Sequence, residues 1–151
     1  MASINSKIES CYLHKIYEPN QFKKTVDETI KTVVALNKEK KINAIAFTGT
    51  SGAALAYPVS YATGIPLLCV RKSIKDNHYR EKLEGYTRPK NYIIIDDCVC
   101  TGATVKKMVK AISTYSPKSK FSALVLYADR YDDIERLEKA VKTKVKIVGR
   151  R

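Results

Sequence analysis

The chain has 151 residues, of which 44% are hydrophobic and 28% charged, and its formal net charge is +13. This length and composition allow one hydrophobic core and exclude a low-complexity chain, so we expect a single domain over residues 1–151. No apolar run approaches the length of a membrane span, and the amino-terminal residues lack the apolar segment of a signal peptide. The four cysteines have neither zinc-site nor disulfide-scaffold spacing. We therefore expect a cytoplasmic protein with reduced thiols and no membrane partner.

A short strand and a long helix are predicted first. Residues 12–17 are interpreted as the strand, which stops before Pro19. Asn20 is the expected N-cap of the helix, which ends near Asn37. The helix is indicated by one apolar stripe, formed by Phe22, Val26, Ile30, Val33 and Val34.

A buried strand is predicted over residues 42–47, followed by a small hydroxyl-rich turn at 48–52 and a helix that Gly64 ends. Pro58 is expected to kink this helix or to mark its first turn. The turn lacks the Gly-Lys-Ser/Thr ending of a Walker loop and the spacing of a dinucleotide fingerprint, which counts against ATPase and Rossmann functions. An ordinary tight turn and a ligand-binding turn both remain open.

A third strand is predicted over residues 65–70, with Arg71 and Lys72 at its end. Residues 73–90 are polar and show no sustained period, so they are interpreted as a mobile loop of the kind that usually has a function. This loop includes Lys75, His78 and Tyr79, whose roles the sequence leaves open.

The most informative stretch starts with the apolar residues 92–95, which are typical of a strand buried on both faces of a parallel sheet. Asp96 and Asp97 follow at once, then the small and hydroxylated residues 101–104. Apolar residues then recur at helical spacing, at Val105, Met108, Val109 and Ile112. The pattern predicts a strand, an acidic corner, a hydroxyl-rich turn and a helix.

This order of elements suggests a ligand. Amides at the start of the helix, with the hydroxyls of Thr101 and Thr104, suit a phosphate monoester, and Gly102 lets the backbone approach it. Asp96 and Asp97 suit the hydroxyls of a vicinal diol. Together they predict a site for a ribose 5-phosphate, the alternative being a helix-capping threonine and acids that merely end a strand.

The last predicted elements are a strand over residues 121–128, a charged helix over 132–141 and a strand over 143–148. Asp129 and its neighbours stand where the first of these strands ends, the place where ligands collect in open α/β sheets. The alternation of strands and helices predicts an α/β fold with a mostly parallel central sheet flanked by helices.

Residues 93–104, with the sequence IIIDDCVCTGAT, resemble the phosphoribosyl pyrophosphate (PRPP) signature of type I phosphoribosyltransferases. The resemblance covers roughly residues 20–130 and is closest to orotate and adenine phosphoribosyltransferase-like proteins. It implies the type I phosphoribosyltransferase fold. It also implies a small hood over the base, built from residues 1–19 and the carboxyl-terminal segment, and closure of the loop at 73–90 over PRPP.

The same resemblance implies roles for individual residues. It assigns catalysis to Asp96, Asp97 and Arg71, and the 5′-phosphate to Cys100, Thr101, Gly102, Ala103 and Thr104. It assigns pyrophosphate to Thr50, Ser51, Gly52, Arg71 and Lys72, often around a non-proline cis peptide. The base is assigned to Tyr127, Asp129 and Tyr131. Mg²⁺ is the implied cofactor, and Asp96 and Asp97 would contact it indirectly.

The implied reaction transfers the 5-phosphoribosyl group of PRPP to a nucleobase nitrogen, releases pyrophosphate and forms a nucleoside 5′-monophosphate for nucleotide salvage or biosynthesis. A homodimer is expected. Enzymes for 6-oxopurines carry an Asp immediately before this Thr-Gly, where the chain has Cys100. This disfavours hypoxanthine, guanine and xanthine, and leaves orotate, adenine or another base.

The alternative from another class is a PRPP-sensing, RNA-binding regulatory protein of the same fold. The charge of +13 exceeds what one small anionic substrate needs, which favours this alternative. Lys and Arg are spread along the chain without a recognised nucleic-acid-binding motif, so a nucleic-acid partner is not favoured. The complete acidic pair, Thr-Gly and pyrophosphate-type loop favour the enzyme.

Overall fold

The structure is a computed structural model that describes residues 14–73, 75, 81–128 and 133–149. The described residues form α1 (His14–Tyr17), α2 (Pro19–Lys40), β1 (Ala44–Phe47), α3 (Gly49–Thr63), β2 (Leu67–Val70), β3 (Leu83–Gly85), β4 (Asn91–Asp96), α4 (Ala103–Tyr115), β5 (Lys120–Leu126), α5 (Ile134–Val141) and β6 (Val145–Ile147).

The strands of the described ranges form one six-stranded sheet in the order β3-β2-β1-β4-β5-β6. All neighbouring strands are parallel except β3, which runs antiparallel to β2. Helices α4 and α5 pack on one face of the sheet, and α2 and α3 pack on the other. The predicted α/β fold with a mostly parallel sheet between helices is therefore confirmed.

The central strand β4 explains why residues 92–95 are apolar without alternation. Tyr92 and Ile94 point to the α4 side, whereas Ile93 and Ile95 point to the α2 side, and all four side chains are buried. Both faces of a strand must be apolar when helices cover both faces of the sheet. This core fixes the place where the strand ends and the acids begin.

The amino-terminal helix region differs from its prediction. Residues His14–Tyr17 are helical, so the strand predicted over 12–17 is wrong for the described part. The N-cap of α2 is Glu18, whose carboxylate accepts the N–H groups of Asn20 and Gln21 at 3.1 and 2.7 Å. Pro19 takes the first helical position, where its fixed φ is suitable and no N–H is needed. Asn20 is therefore not the cap, and the helix continues past Asn37.

The apolar stripe of α2 is only partly as predicted. Val33 is fully buried, but Val34 is exposed. Thr25 and Thr29 are buried instead, because their hydroxyls donate to the carbonyls of Gln21 and Thr25. A threonine that bonds back to its own helix loses its need for water, and a search for apolar residues misses it.

Helix α3 begins earlier than predicted. Gly49 starts it, so the predicted turn at 48–52 forms the first helical turn. Pro58 lies inside the helix and does not mark its first turn, whereas Gly64 ends it with a φ of 70°, as predicted. The described residues contain no cis peptide bond, so the cis bond implied for this turn is not found.

The stretch predicted as a structureless loop at 73–90 contains a strand. β3 pairs with β2, and the Arg71 N–H donates to the Lys82 carbonyl at 2.9 Å. Residues 74 and 76–80, which include His78 and Tyr79, lie outside the described residues, as does the part of the predicted hood at 1–13. None of the helices in the described ranges is long and apolar enough to cross a membrane.

Candidate active site

The candidate site lies at the carboxyl edge of the sheet, between β1 and β4. These strands are parallel neighbours, with Ala46 paired to Ile94, and each is followed by a helix on a different face. The strand order reverses direction here, since β2 follows on one side and β5 on the other. Ligands of open α/β sheets bind in the crevice at such a switch point.

The first wall of the crevice is the amino terminus of α3. Thr48 is the N-cap residue but makes no capping hydrogen bond, because its hydroxyl donates to the Val70 carbonyl at 2.7 Å. The amides of the first helical turn therefore receive no hydrogen bond acceptor from the N-cap side chain and are available to an anion. The predicted pyrophosphate residues Thr50, Ser51 and Gly52 all lie in this turn.

Gly52 allows this turn to lie close to β4. A Cβ atom built at Gly52 would be 3.1 Å from the Ile95 carbonyl oxygen and 3.2 Å from the Phe47 Cβ. The absence of a side chain thus lets the helix approach the end of β4.

The second wall is the amino terminus of α4, which holds the predicted 5′-phosphate residues. Gly102 is its N-cap with a φ of 78°, a left-handed conformation that glycine adopts without strain, and as a glycine it has no side chain to cap the helix. The Ala103 N–H lies 3.3 Å from the Thr101 hydroxyl. Gly102 is buried, whereas Cys100, Thr101, Ala103 and Thr104 are exposed. The hydroxyls and amides of this turn are therefore accessible to a phosphate.

Asp96 and Asp97 lie between the two helix termini and are only 7% and 6% exposed. The Asp97 N–H donates to Asp96 Oδ1 at 2.9 Å, and the Ser51 hydroxyl approaches the same oxygen at 3.5 Å, the outer limit of a hydrogen bond. Burial raises the pKa of Asp96 to about 7, the nearby Asp97 adds to the rise, and the Lys72 ammonium partly offsets it. Asp96 is therefore poised to change its charge near neutral pH.

Tyr127 lies beneath the first wall, the α3 turn. It follows β5, is 1% exposed, and donates its hydroxyl to the Ser51 carbonyl at 2.8 Å. Because its ring lies in the core, Tyr127 has no surface for the base contact predicted from the sequence. Its geometry is that of a residue that positions Ser51. The other predicted base residues, Asp129 and Tyr131, lie outside the described residues.

Arg71 and Lys72 follow β2 but have different surroundings. Arg71 forms a two-pronged ion pair with Glu84 of β3, at 2.9 Å from Nε and 2.6 Å from Nη2. Lys72 lies over the start of α3, since a Cβ built on Gly49 would be 3.1 Å from the Lys72 Nζ atom. Lys72 is therefore already at the predicted pyrophosphate turn, whereas Arg71 is bound to a carboxylate.

Glu84 was not identified from the sequence, because residues 73–90 gave no strand pattern. The regular pairing of β2 with β3 places Glu84 opposite Cys69. Cys69 lies two residues before Arg71 in the chain, so Glu84 is within reach of the arginine. An acid at the edge of an unrecognised antiparallel strand is a weak signal in a single sequence.

A pocket of about 460 Å³ opens beside the first turn of α3. Phe47 and Tyr57 form its aromatic wall, with ring centroids 5.5 Å apart and ring planes at 59°. Its polar lining comes from the α3 turn and the end of β2, and includes Thr50, Arg71, Lys72, Ser73 and Glu84. The pocket provides space for a ligand beside the predicted pyrophosphate turn, on its β2 side.

The donor set for a divalent cation is small. Within the described ranges, no three His, Cys, Asp or Glu side chains are grouped as a metal site. Asp96 and Asp97 supply two carboxylates, and Asp96 Oδ1 already accepts the Asp97 N–H. Such a pair fits a Mg²⁺ ion whose other ligands are oxygens of a bound phosphate and water.

Comparison with known proteins gives a consistent result. The sequence profile of the PRTase-CE family matches residues 3–149. The chain is similar to an adenine phosphoribosyltransferase of Actinobacillus pleuropneumoniae, with 29% identity over 136 residues that cover 80% of this chain and 74% of that protein. It is also similar to an orotate phosphoribosyltransferase of Methanosarcina acetivorans, with 28% identity over 111 residues, 73% of this chain and 59% of that protein.

Solved structures support the fold alone, because their sequence identities are low. A crystal structure of orotate phosphoribosyltransferase from Francisella tularensis superimposes with a TM-score of 0.64 and 15% identity, covering 88% of this chain and 67% of that one. A crystal structure of an adenine phosphoribosyltransferase gives a TM-score of 0.66 and 18% identity, covering 86% of this chain and 81% of that one. The architecture is thus shared with proteins of both names.

Proposed function

Since this chain belongs to the PRTase-CE family, we propose that it transfers the 5-phosphoribosyl group of PRPP to a nucleobase nitrogen. The products are a nucleoside 5′-monophosphate and pyrophosphate. The proposal is supported by curated relatives named as adenine and orotate phosphoribosyltransferases. The observation that carries it is the buried acid pair beside two helix termini whose N-cap residues, Thr48 and Gly102, make no capping hydrogen bond.

Each part of PRPP has a matching partner in this arrangement. The 5′-phosphate binds the amides and hydroxyls of residues 100–104, at the positive end of the α4 dipole. The ribose hydroxyls donate to Asp96 and Asp97. The pyrophosphate binds the first turn of α3, formed by Thr50, Ser51 and Gly52, together with Lys72.

The reaction breaks the bond between C1 of the ribose and the pyrophosphate oxygen and forms a bond from C1 to the base nitrogen, which loses its proton. The transition state resembles a ribosyl oxocarbenium ion, with positive charge on the sugar and negative charge on the leaving group. The carboxylates stabilise the first charge, and the α3 amides with the Lys72 ammonium stabilise the second. Tyr127 contributes by holding the Ser51 carbonyl, so that the turn is already ordered before the charge develops.

Mg²⁺ fits the site as an ion brought with the substrate. Asp96 and Asp97 would hold it through water, with the remaining ligands supplied by oxygens of PRPP. When bound, the ion neutralises part of the pyrophosphate charge and so favours its departure.

Arg71 needs a change of partner to act on pyrophosphate. Its guanidinium is engaged by Glu84, and both side chains line the pocket beside the α3 turn. A pyrophosphate oxygen bound in this pocket would compete with the Glu84 carboxylate for the Arg71 guanidinium. Lys72 needs no such exchange and is the stronger of the two assignments.

The base remains to be chosen between orotate, adenine and others. Cys100 occupies the position of the acid found in 6-oxopurine enzymes, which argues against those bases. The homodimer and the cytoplasmic location remain predictions. The regulatory alternative gains no support from the family match or from the curated relatives.

The test is base-dependent release of pyrophosphate from PRPP with Mg²⁺, measured for orotate, adenine, guanine, hypoxanthine, xanthine and uracil. We expect release with orotate or adenine and none without a base. The variant Asp96→Asn with Asp97→Asn serves as the inactive control. If the wild-type chain binds PRPP and yet no base releases pyrophosphate, the transferase proposal is wrong.

A further inference from the structure

The amino edge of the sheet, opposite the candidate site, carries a lysine at each of four neighbouring strands. Lys41 precedes β1, Lys90 immediately precedes β4, Lys120 begins β5 and Lys144 immediately precedes β6. These strands are adjacent in the sheet order. We call Lys41, Lys90 and Lys120 the lysine row.

Hydrogen bonds to the backbone of these lysines fix the row in place. The Lys120 N–H donates to the Lys90 carbonyl at 2.7 Å. The Asn91 side-chain amide lies 3.4 Å from the Lys41 carbonyl and 3.0 Å from that of Lys40. Because neighbouring strands are about 4.8 Å apart, the backbones of Lys90 and Lys120 are separated by about that distance, and Lys41 lies beyond the next strand, at the end of α2.

The charges of the row are not neutralised within the described part of the chain. Lys41, Lys90 and Lys120 are exposed, and none of them forms an ion pair with another described residue. Lys144 does have a partner, Glu138 at 3.2 Å. The sequence supplies no Asp or Glu from Cys98 to Ala128, a segment that also contributes Lys118 to the turn before β5. The three lysines of the row thus keep their positive charge, whereas Lys144 and Tyr115 each have a carboxylate partner, Glu138 and Glu81.

The proposed reaction does not use this surface. PRPP binds at the carboxyl edge of a parallel sheet, and the lysine row lies at the opposite edge. One small anion does not account for a net charge of +13. The excess charge is suited to a second, more extended anionic partner.

An aromatic side chain lies beside the row. Tyr115 ends α4 and is 43% exposed, and its hydroxyl lies 3.4 Å from the Glu81 carboxylate. The next residue, Ser116, donates its hydroxyl to the carbonyl of Pro89, which immediately precedes Lys90. A tyrosine ring next to a line of lysines is suited to stack a nucleobase whose phosphates pair with the ammonium groups.

An anionic membrane fits this surface less well. The large hydrophobic side chains exposed in the described ranges are Val34 and several tyrosines, with no Leu, Ile, Phe or Met among them. Peripheral helices that bind membranes insert an apolar face beside their cationic one, and this edge has no such face.

We infer that the lysine row, with Tyr115, binds the backbone of a single-stranded nucleic acid. This contact is separate from the transfer reaction and does not depend on a regulatory role. The three ammonium groups pair with phosphates of the strand, and binding releases their counterions. The contact is sequence-independent, because no base-edge readout is built into it.

The test measures binding of a short labelled oligouridylate by fluorescence anisotropy at several salt concentrations. Three phosphate contacts to a single strand give a slope of about −2 for log K against log salt, so affinity falls roughly 20-fold from 50 to 200 mM. Replacing the row, Lys41→Gln with Lys90→Gln and Lys120→Gln, is expected to remove most of this slope. Tyr115→Leu is expected to weaken binding several-fold without changing the slope. An oligothymidylate of equal length tests whether RNA and DNA bind alike.

The matched control removes the same charge from the exposed side of α2, by Lys23→Gln with Lys24→Gln and Lys31→Gln. It is expected to retain the wild-type slope. Equal losses in both triple variants would mean that only net charge matters and would overturn the inference. So would absence of oligonucleotide binding, or a row-dependent loss seen only with phosphatidylserine vesicles. Base-dependent pyrophosphate release is expected to be unchanged in the row variant, so this inference and the proposed reaction fail independently.

Discussion

The two helix termini that form the candidate site look alike in sequence but are held differently. The α3 turn is tied to the core by Thr48, which donates to the Val70 carbonyl, and by Tyr127, which donates to the Ser51 carbonyl. The α4 turn is exposed, and its hydroxyl contact is the 3.3 Å approach of the Ala103 N–H to Thr101. The α3 turn is thus ordered by the protein, whereas the α4 turn offers its groups to the ligand.

This difference separates two kinds of substitution. Changes beneath the α3 turn act on ligand binding through position, and they also cost stability because a buried polar group loses its partner. Changes to the exposed side chains of the α4 turn remove a direct contact and leave the fold unaffected. Substitutions of the acid pair between the turns are of both kinds, because they remove a direct ligand contact and also change stability.

The largest expected effect comes from removing both carboxylates. Asp96→Asn with Asp97→Asn should weaken PRPP binding by about 100-fold or more, because hydrogen bonds to charged groups contribute about 1.5–3 kcal/mol each. The fold should persist, since asparagine has the same shape and its oxygen can accept the Asp97 backbone N–H. Calorimetric titration with PRPP measures the affinity, and circular dichroism checks the fold. Unchanged affinity in a folded variant would contradict the site.

The next effect is on stability and its pH dependence. The folded-state pKa of Asp96 is raised to about 7, above its ordinary value of 3.8. The folded chain therefore binds more protons than the unfolded chain between these values, and this group lowers stability as the pH rises from about 4 to 7.

Asp96→Asn, which cannot ionise, should therefore be more stable than the wild type above pH 7, by an amount on the order of 1–3 kcal/mol. The advantage should disappear near pH 4. Denaturant unfolding of both proteins at pH 4, 6 and 8 measures the difference. A stability difference that stays constant with pH would show that Asp96 is not held in a desolvated setting.

Tyr127→Phe tests the tie beneath the α3 turn. Loss of its hydroxyl leaves the Ser51 carbonyl without this donor, so we expect about 1–2 kcal/mol lower stability and about tenfold weaker binding of pyrophosphate. Tyr92→Phe is the control, because Tyr92 is equally buried but stacks on Phe121 elsewhere in the core. Loss of pyrophosphate affinity in both variants would point to general core damage.

The smallest effect is expected on the α4 turn. Thr101→Val removes an exposed hydroxyl and should weaken binding of ribose 5-phosphate by a factor of about 3–5, with stability changed by less than about 0.5 kcal/mol. Pyrophosphate affinity should not change. Parallel titrations with the two ligands measure this selectivity, and a loss for pyrophosphate alone would reverse the assignment of the two turns.

The sequence was sufficient to predict the parts of the site that local pattern determines. The apolar run at 92–95, the adjacent acids and the Thr-Gly before a helix all lie within one short stretch, and the structure has them in that order. The strand predicted over residues 42–47 was also recognised, as β1, because a buried parallel strand leaves a dense apolar signal. The turn predicted after it is instead the first turn of α3.

Contacts between distant segments were not predicted. Tyr127 was assigned to the base, since nothing in its neighbourhood indicates that its hydroxyl meets Ser51 across the sheet. Arg71 was assigned to pyrophosphate without its partner, because β3 is a short edge strand in a polar stretch and Glu84 gave no pattern. The lysine row was also invisible along the chain, since its members become neighbours only through the strand order.

The most direct test of the site follows backbone amide signals by NMR while two ligands are titrated separately. If the two termini hold opposite ends of PRPP, ribose 5-phosphate should shift the amides of residues 101–104, and pyrophosphate should shift those of residues 49–52. If both ligands shift the same turn, or if neither turn responds while PRPP still binds, the arrangement of two termini around an acid pair is not the PRPP site.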